Sequence, residues 1–310
     1  MMSTPFTSTL RSRRLFLGSM ASAGVALIAP VARVARAQGA ALRVVASFSL
    51  LADLVHQVGG PAVEVHALVG PGADAHAFAP RPVDAQRVAQ AELVVVNGLG
   101  FEGWLDRLVR ASGYKGPVLV ATQGVTLLQR GGRPDPHAWQ SLAAAQRYVE
   151  NLREALVRLR PAAAAEINSR AAAYVQRLAA LDASIRSRMA AVPEAERRLV
   201  TSHDAFGYLG QAYGLQILSA QGWNTGSEAS AADVARLIRQ LKAQNVRALF
   251  VENISDPRLM ERIAREAGAR LGGTLYSDAL SPPGTEADTY LRLMAHNADT
   301  ILAALRPAAR

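Results

Sequence analysis

The sequence predicts an α/β protein with two lobes of parallel β-sheet flanked by helices and joined by a long rigid linker helix. Three observations carry this prediction. Short apolar runs alternate with amphipathic segments in the first part of the chain, a long central segment contains no strand candidate, and the same alternation then resumes. Short buried strands separated by amphipathic helices are typical of parallel sheets with helices on both faces.

Four apolar runs in the first part predict strands over Leu42–Ala46, Val63–Val69, Leu93–Val96 and Val118–Ala121. The segments between them have helical spacing and predict helices over Leu50–Val58, Val83–Ala89 and Gly103–Ala111. Gly59-Gly60 ends the first helix, because glycine readily adopts the left-handed conformation that follows many helices.

The central segment, from Gln140 to Ala191, contains mainly Ala, Leu, Arg and Glu at helical spacing. Alanine and leucine are among the strongest helix formers, and Pro161 is compatible with the first turn of a second helix. That second helix would have about 30 residues and a length of roughly 45 Å at 1.5 Å per residue. A helix of this length between two α/β regions is expected to act as a strut.

In the last part, strands are predicted over Leu199–Thr201, Leu215–Leu218, Ala248–Val251 and Leu271–Leu275. Helices are predicted over Ala205–Ala212, Ala231–Ala243, Pro257–Ala267 and Glu286–Leu305. Ser230, three residues before Asp233, resembles the start of a capping box and supports the second of these helices.

Residues 1–37 have the features of a cleaved export signal. Arg13-Arg14 forms a twin-arginine pattern, a weakly apolar stretch follows it, and Ala35-Arg36-Ala37 offers a small-x-small cleavage site. The apolar stretch is shorter than the ~20 residues that a membrane span needs. We therefore expect a soluble periplasmic protein, with an N-terminal lobe over residues 38–160, the linker helix over 161–192 and a C-terminal lobe over 193–310.

Charge and cysteine content exclude several classes of function. The formal net charge of +9 falls to +4 without the five arginines of the leader, and the remaining arginines are scattered among acidic residues. This distribution indicates solvated helix faces rather than a nucleic-acid surface. The chain contains no cysteine, so thiolate metal sites and thiol catalysis are excluded.

Three histidines and one aspartate lie in loops that follow predicted strands: His76, His137, His203 and Asp278. In open α/β sheets, ligands bind beyond the carboxyl ends of the strands. Imidazole nitrogens and a carboxylate oxygen are groups that suit zinc, and four of them complete a tetrahedral site. The spacing is long-range, so only the fold could assemble such a site.

Four motifs carry a resemblance to a known family: Pro71-Gly72-x-Asp74-x-His76-x-x-x-Pro80, Asn97-Gly98-Leu99-Gly100-x-Glu102-x-Trp104, Asp135-Pro136-His137-x-Trp139, and Ser202-His203-Asp204-Ala205-Phe206-Gly207-Tyr208. They resemble the zinc/manganese group (cluster A-I) of solute-binding proteins of ABC importers, over essentially the whole mature chain. The resemblance implies one divalent transition-metal ion between two lobes, with His76 and His137 as ligands from the first lobe and His203 and Asp278 from the second. It also implies delivery to an ABC-transporter membrane permease rather than catalysis. We expect a monomer that binds no nucleic acid.

The identity of the metal rests on two further comparisons with that family. Zinc-type members often carry a His- and Asp-rich loop, whereas residues 124–134 form a short segment without histidine. Manganese-type members tend to have glutamate at the third ligand position, where this chain has His203. Three imidazoles with one carboxylate favour zinc, so we predict Zn²⁺ as the transported ligand, with Mn²⁺ as the alternative.

Several residues have alternative interpretations. Glu228 and Glu252 are alternatives to Asp278 as the fourth ligand. Trp104, Trp139 and Phe206 are expected to pack beside the ligand loops and to shield the ion from water. The remaining histidines are expected to lie outside the site, and they are His56, His66 and His296.

Three other functions are compatible with parts of this pattern. A zinc-dependent hydrolase would use three ligands and leave a fourth position for water, with Asp278 as general base. A receptor for an iron–siderophore or corrinoid complex would need a wide cleft lined by Arg, Tyr and Trp. Gly98-x-Gly100-x-x-Gly103 has the pattern of a dinucleotide-binding loop, but no acidic residue follows at the end of the next strand.

Overall fold

Two four-stranded parallel β-sheets with helices packed against them form the framework of the chain, which confirms the predicted α/β class. The computed structural model describes residues 40–222, 225, 229–246 and 248–305. The predicted leader and Glu228 lie outside these residues.

The first sheet has the strand order β2-β1-β3-β4, with all neighbours parallel. Its strands are β1 (Leu42–Phe48), β2 (Val63–Val69), β3 (Leu93–Val96) and β4 (Val118–Val120). The helices between them are α1 (Ser49–Gly59), α2 (Pro82–Gln90) and α3 (Leu105–Ser112). The two central strands are almost completely buried because their Val and Leu side chains pack under helices on both faces. The edge strand β4 leaves Val118 and Val120 exposed.

A short hairpin and two helices connect the sheets. The hairpin pairs β5 (Gln129–Arg130) with β6 (Arg133–Pro134), and it was not predicted from the sequence. Helix α4 (Leu142–Leu159) begins at Ser141, whose side chain accepts a hydrogen bond from the Ala144 amide. Pro161 lies in a 3₁₀ turn that precedes α5 (Ala164–Ala190) rather than in α5 itself.

The second sheet has the order β10-β9-β7-β8 and is also parallel. Its strands are β7 (Arg198–Thr201), β8 (Gln216–Ser219), β9 (Ala248–Glu252) and β10 (Arg270–Leu275). Its helices are α6 (Gly207–Tyr213), α7 (Ala231–Gln244), α8 (Arg258–Ala267) and α9 (Tyr290–Leu305). Ser230 caps α7 through the Asp233 amide, as predicted. Helix α9 begins four residues later than the predicted start at Glu286.

The long helix α5 packs on both halves of the chain. Its 27 residues correspond to about 40 Å at 1.5 Å per residue, slightly shorter than predicted. Its buried residues recur at helical spacing and are Ile167, Ala171, Tyr174, Leu178, Ile185 and Met189. They belong to a large apolar core that also includes Val95 of the first sheet and Phe250 of the second. Apolar packing therefore continues across residues 160 and 192, where the lobe boundaries are predicted. The boundaries themselves stay predictions.

A smaller apolar cluster lies between the second sheet and helices α7 and α8, with Leu249, Leu241 and Met260 among its members. Of the helices that the structure describes, none combines the length and the apolar character needed to cross a bilayer.

Candidate metal centre

The four predicted ligands lie in four different loops at the carboxyl ends of strands. His76 follows β2, His203 follows β7 and Asp278 follows β10. His137 lies in the segment after β4, as predicted, and the β5–β6 hairpin comes between them. Turns hold two of these loops. The Asp74 carboxylate accepts a hydrogen bond from the His76 amide at 2.8 Å, and the Asp135 carboxylate accepts one from the His137 amide at 2.9 Å.

The fold brings the four side chains to one point. One potential ligand atom from each of His76, His137, His203 and Asp278 lies within 4.8 Å of all the others. Nε2 of His76 is 3.3 Å from Nε2 of His137. Oδ2 of Asp278 is 3.2 Å from Nε2 of His76 and 3.2 Å from Nε2 of His203. The arrangement is compact enough for one ion to contact all four groups.

This point lies deep in the protein. The side chains of His137, His203 and Asp278 are fully buried, and that of His76 is 4% exposed. Nε2 of His203 and both carboxylate oxygens of Asp278 have no well-aligned hydrogen-bond partner among the described residues, although Nε2 of His203 and Oδ2 of Asp278 lie 3.2 Å apart. Buried polar atoms in proteins almost always have a partner, and unpaired ones that face each other indicate a ligand such as an ion. The donor set of three imidazoles and one carboxylate fits a divalent transition metal.

Two further carboxylates contact two of the imidazoles at Nδ1, the ring nitrogen that points away from the cluster. Oδ1 of Asp135 lies 2.8 Å from Nδ1 of His137. Oε2 of Glu252 lies 2.5 Å from Nδ1 of His203, and Oε1 of Glu252 accepts the His203 amide at 2.8 Å. Such carboxylate–histidine pairs leave Nε2 free for a metal and fix the orientation of the ring.

The sequence analysis treated Glu252 as an alternative ligand, but Glu252 contacts the far side of His203 and lies outside the four-residue cluster. Asp135 was not singled out at all. Its place two residues before His137 was the available signal, because an Asp-Pro-His turn returns the carboxylate to the imidazole.

The charges of the buried imidazoles and carboxylates shift the pKa values of His203 and Asp278 in opposite directions. Burial alone would lower the pKa of His203, but the charges of Glu252 and Asp278 outweigh it and hold the pKa well above the usual value of 6.5. Burial alone would raise the pKa of Asp278, but the imidazoles of His203, His76 and His137 outweigh it and hold the pKa far below the usual value of 3.8. The carboxylate is therefore ionised and available to a cation at neutral pH.

Aromatic side chains surround the imidazoles, as expected for Trp104 and Trp139. The Trp139 ring centroid lies 5.2 Å from that of His137, and Nε1 donates to the Ser277 carbonyl beside Asp278 at 2.8 Å. Nε1 of Trp104 donates to the Ala75 carbonyl beside His76 at 2.7 Å. Phe206 is also fully buried. Trp139 packs against His137 within this buried region, and a low exposure to water strengthens electrostatic interactions at the centre.

The other histidines lie elsewhere, as expected. His56 is exposed on α1, and His66 lies on β2 outside the four-residue cluster. Nε2 of His296 on α9 is 3.1 Å from the Thr274 carbonyl oxygen.

The glycine-rich segment between β3 and α3 does not have the features of a dinucleotide site. The Gly98 amide, which such a loop would direct at a pyrophosphate, donates to the Glu102 carboxylate at 3.1 Å. A Cβ at Gly103 would meet open space, so this glycine is not needed for close packing. The segment is therefore a structural loop of the first sheet.

Comparisons with known proteins agree with this geometry. The sequence profile of the family described as "ZnuA: Zinc-uptake complex component A periplasmic" matches residues 44–304. TroA of Treponema pallidum, a zinc-binding protein, is 33% identical over 271 residues, covering 84% of this chain and 88% of TroA. Its solved structure has a TM-score of 0.83 at 31% identity and covers 86% of this chain and 100% of that chain.

Two other relatives are named for different metals. The manganese-binding lipoprotein MntA of Halalkalibacterium halodurans is 33% identical over 268 residues, covering 86% of this chain and 89% of MntA. The iron-binding protein YfeA of Yersinia pestis is 31% identical over 264 residues, covering 84% of this chain and 85% of YfeA.

Proposed function

Since this chain belongs to the ZnuA family and is a substrate-binding protein of a metal ABC importer, not an enzyme, we propose that the ion it carries is Zn²⁺. His76, His137, His203 and Asp278 hold the ion, and a membrane permease of the importer receives it. The names of the relatives do not decide the metal, because they include zinc, manganese and iron. The chemistry of the donor atoms at the candidate site carries the choice.

The observation that supports zinc most directly is the donor set of three imidazoles and one carboxylate, and the spacing of the ligand atoms is compatible with it. A tetrahedron with metal–ligand bonds of about 2.0–2.1 Å has edges of about 3.3–3.4 Å between ligand atoms. Three of the six pairs lie close to this length: His76–His137 at 3.3 Å, His76–Asp278 at 3.2 Å and His203–Asp278 at 3.2 Å. The His137–Asp278 pair is longer at 4.0 Å, and all ligand atoms lie within 4.8 Å of one another, so the four groups would move slightly inward around an ion. Three imidazoles and a single carboxylate also suit zinc better than the harder Mn²⁺ ion, which prefers oxygen ligands.

The hydrolase alternative finds no support in this geometry. A general base must stand away from the metal with room for a water molecule between them. Asp278 instead lies 3.2 Å from the ligand nitrogens of both His76 and His203, within the four-residue cluster. The siderophore alternative is also disfavoured, because the site is a buried cluster of four small groups rather than a wide cleft.

We further propose that the chain is exported to the periplasm through the twin-arginine signal of residues 1–37 and acts there as a monomer. Arg13-Arg14 and the Ala35-Arg36-Ala37 cleavage site support this route. Some relatives are named lipoproteins, whereas this sequence contains no cysteine whose thiol could carry a lipid.

A competitive titration with a zinc chelator tests the proposed function. The wild-type protein should bind one Zn²⁺, and His203→Ala should weaken binding by a hundredfold or more because a buried ligand is lost. His296→Ala is the matched control, since His296 is a histidine of the same half of the chain that lies outside the cluster. Unchanged zinc affinity in His203→Ala would remove this residue from the site.

The choice of metal needs a separate measurement. The metal content of protein purified from its native compartment should be dominated by zinc, and Zn²⁺ should displace Mn²⁺ and Fe²⁺ in competition. Tighter binding of Mn²⁺ than of Zn²⁺ would overturn the assignment of zinc and leave the metal-receptor function standing.

A further inference from the structure

The segment between β3 and α3, residues 97–104, has an uncommon backbone. Three consecutive residues have positive φ angles: Gly98 at 86°, Leu99 at 59° and Gly100 at 80°. Leucine rarely adopts this left-handed conformation, because its Cβ crowds the following carbonyl oxygen. A Cβ at position 98 would also lie 2.6 Å from Cγ1 of Val120. Surrounding interactions must therefore hold residues 97–104 in this conformation. We call this segment the support loop.

One buried carboxylate holds the support loop together. Glu102 is 8% exposed, and its Oε1 accepts hydrogen bonds from the Ser47 hydroxyl and from the Asn97 amide, both at 2.6 Å. Its Oε2 accepts the Gly98 amide at 3.1 Å. A carboxylate accepts at both oxygens, so it satisfies all three donors at once. The loop is thereby closed onto its own first residues and attached to β1.

Two side chains of the support loop reach the backbone of the ligand loops. Nε1 of Trp104 donates to the Ala75 carbonyl at 2.7 Å, and Nδ2 of Asn97 donates to the Pro136 carbonyl at 2.9 Å. Each of these carbonyls belongs to the residue immediately before a candidate ligand, namely His76 or His137. Both bonds are buried, so the loss of either donor would leave a carbonyl oxygen without a partner and cost free energy.

A third side chain of the support loop touches the imidazoles themselves. The ring of Phe101 stands edge-on to His76 with centroids 4.6 Å apart, and its centroid lies 6.0 Å from that of His137. The Phe101 amide donates to the Gly98 carbonyl at 3.1 Å, so the position of the ring depends on the same turn that Glu102 closes. Both first-half ligands are therefore contacted by a single segment, in addition to the Asp135 carboxylate that pairs with His137.

We propose that Glu102 is a positioning residue for metal binding, acting through the support loop to set the places of His76 and His137. This inference rests on the proposed function, because it concerns the same metal centre. It assigns the glycine-rich motif of this chain a role in preorganising two imidazoles for a cation. Groups held in place before binding cost less to order when the ion arrives, so their loss appears as weaker binding.

The test compares Glu102→Gln with the wild type in zinc titrations and in Co²⁺ absorption spectra. Glutamine has almost the same shape, but its NH₂ group would face the donor amides of Asn97 or Gly98. Zinc affinity should fall about 10- to 100-fold, and the visible bands of bound Co²⁺ should shift or weaken because the ligand geometry changes. A purely structural role would lower the melting temperature and leave both of these readouts unchanged.

Two further variants keep the test decisive. Trp104→Phe removes the indole N–H that holds the Ala75 carbonyl, together with part of a buried ring, and it should weaken zinc binding about tenfold even if Glu102→Gln does not fold. Glu92→Gln is the matched control. Glu92 is a carboxylate of the same half whose hydrogen bonds, within the described part of the chain, run to Arg43 and Arg160 rather than to a ligand loop, so zinc affinity and the Co²⁺ spectrum should not change.

The outcomes separate this inference from the proposed function. If Glu102→Gln and Trp104→Phe bind zinc and Co²⁺ like the wild type, the positioning role is overturned while the metal receptor stands. If the wild-type protein itself binds neither Zn²⁺ nor Co²⁺, the proposed function fails and the inference fails with it.

Discussion

At the scale of single residues, the three imidazoles of the candidate centre are held in different ways. Nδ1 of His137 faces Asp135, and Nδ1 of His203 faces Glu252. Among the described residues, no carboxylate pairs with Nδ1 of His76, which is also the least buried of the four candidate ligands. Two rings are thus fixed by carboxylates, and His76 depends on its backbone and on the aromatic ring beside it.

Glu252→Gln should therefore weaken zinc binding without removing a ligand. The amide retains the size of the carboxylate but lacks the charge that orients His203 and strengthens its metal bond. We expect a 10- to 100-fold loss of affinity in a chelator competition assay. Glu266→Gln, at an exposed position on α8 where the carboxylate pairs with Arg262, should bind zinc like the wild type. Equal affinity in both variants would show that Glu252 has no orienting role.

Zinc affinity should rise with pH across the neutral range. The raised pKa of His203 means that this imidazole carries a proton in the metal-free protein at pH values where a free histidine would not. Zinc must displace that proton, so affinity should increase about tenfold per pH unit up to the raised pKa and level off above it. Titrations between about pH 6 and 9 check the slope.

Glu252→Gln also serves as a comparison for the pH dependence of zinc affinity. The variant removes one of the two charges that raise the pKa of His203, so the rise in affinity should level off at a lower pH than in the wild type. A wild-type affinity that is constant above pH 6.5 would mean that His203 is neutral before zinc binds.

At the scale of elements, strands and helices followed from simple periodicity wherever an element was apolar and long. The buried runs of β1, β2 and β3 and the Ala- and Leu-rich helices α4 and α5 were predicted within a few residues. The hairpin was missed because β5 and β6 have only two residues each and no apolar side chain that indicates a strand. Gly131-Gly132, with φ angles of 55° and 77°, was the available signal, since two positive φ angles are typical of a type I′ hairpin turn.

The candidate site was predictable in part for a related reason. His76, His203 and Asp278 could be proposed because each follows a strand of a parallel sheet, and such strands direct their loops to one edge. His137 follows the hairpin instead, and the family motif Asp135-Pro136-His137 was the signal for it. The partners of these residues could not be ranked in the same way. Whether Glu252 faces Nδ1 or Nε2 of His203 depends on a shift of a few ångströms, which residue spacing does not encode.

The long helix α5 offers a test of its own packing. Tyr174 is 2% exposed, and its hydroxyl makes no hydrogen bond with any described residue. Tyr174→Phe removes this buried polar group and keeps the ring, so the free energy of unfolding should stay the same or rise by up to about 1 kcal/mol. Ile167→Ala on the same helix should lower it by about 2–5 kcal/mol, because a fully buried side chain is lost. Chemical denaturation of the two variants measures both effects.

At the scale of the whole molecule, the loop of Asp278 joins the two halves. The Ser277 carbonyl accepts hydrogen bonds from the side chains of Trp139 and Gln140, and the Leu280 amide donates to the Ser49 hydroxyl. The same loop bonds to the second half through Asn253, whose side chain donates to the Ala279 carbonyl. A loop attached to both sides, together with a shared apolar core, favours small adjustments of the halves over a wide opening.

This continuity predicts that the metal-free protein unfolds in one cooperative transition and that zinc raises its melting temperature. A ligand that binds only the folded state stabilises it by about 4 kcal/mol at a thousandfold excess over the dissociation constant. For a chain of this size, that corresponds to roughly 10 °C. Differential scanning calorimetry with and without Zn²⁺ measures both properties, and EDTA should reverse the shift. His203→Ala should melt in one transition as well, but with a much smaller zinc-induced shift. Two separate transitions in the metal-free wild type would show that the halves fold independently, despite the core that Val95 and Phe250 share.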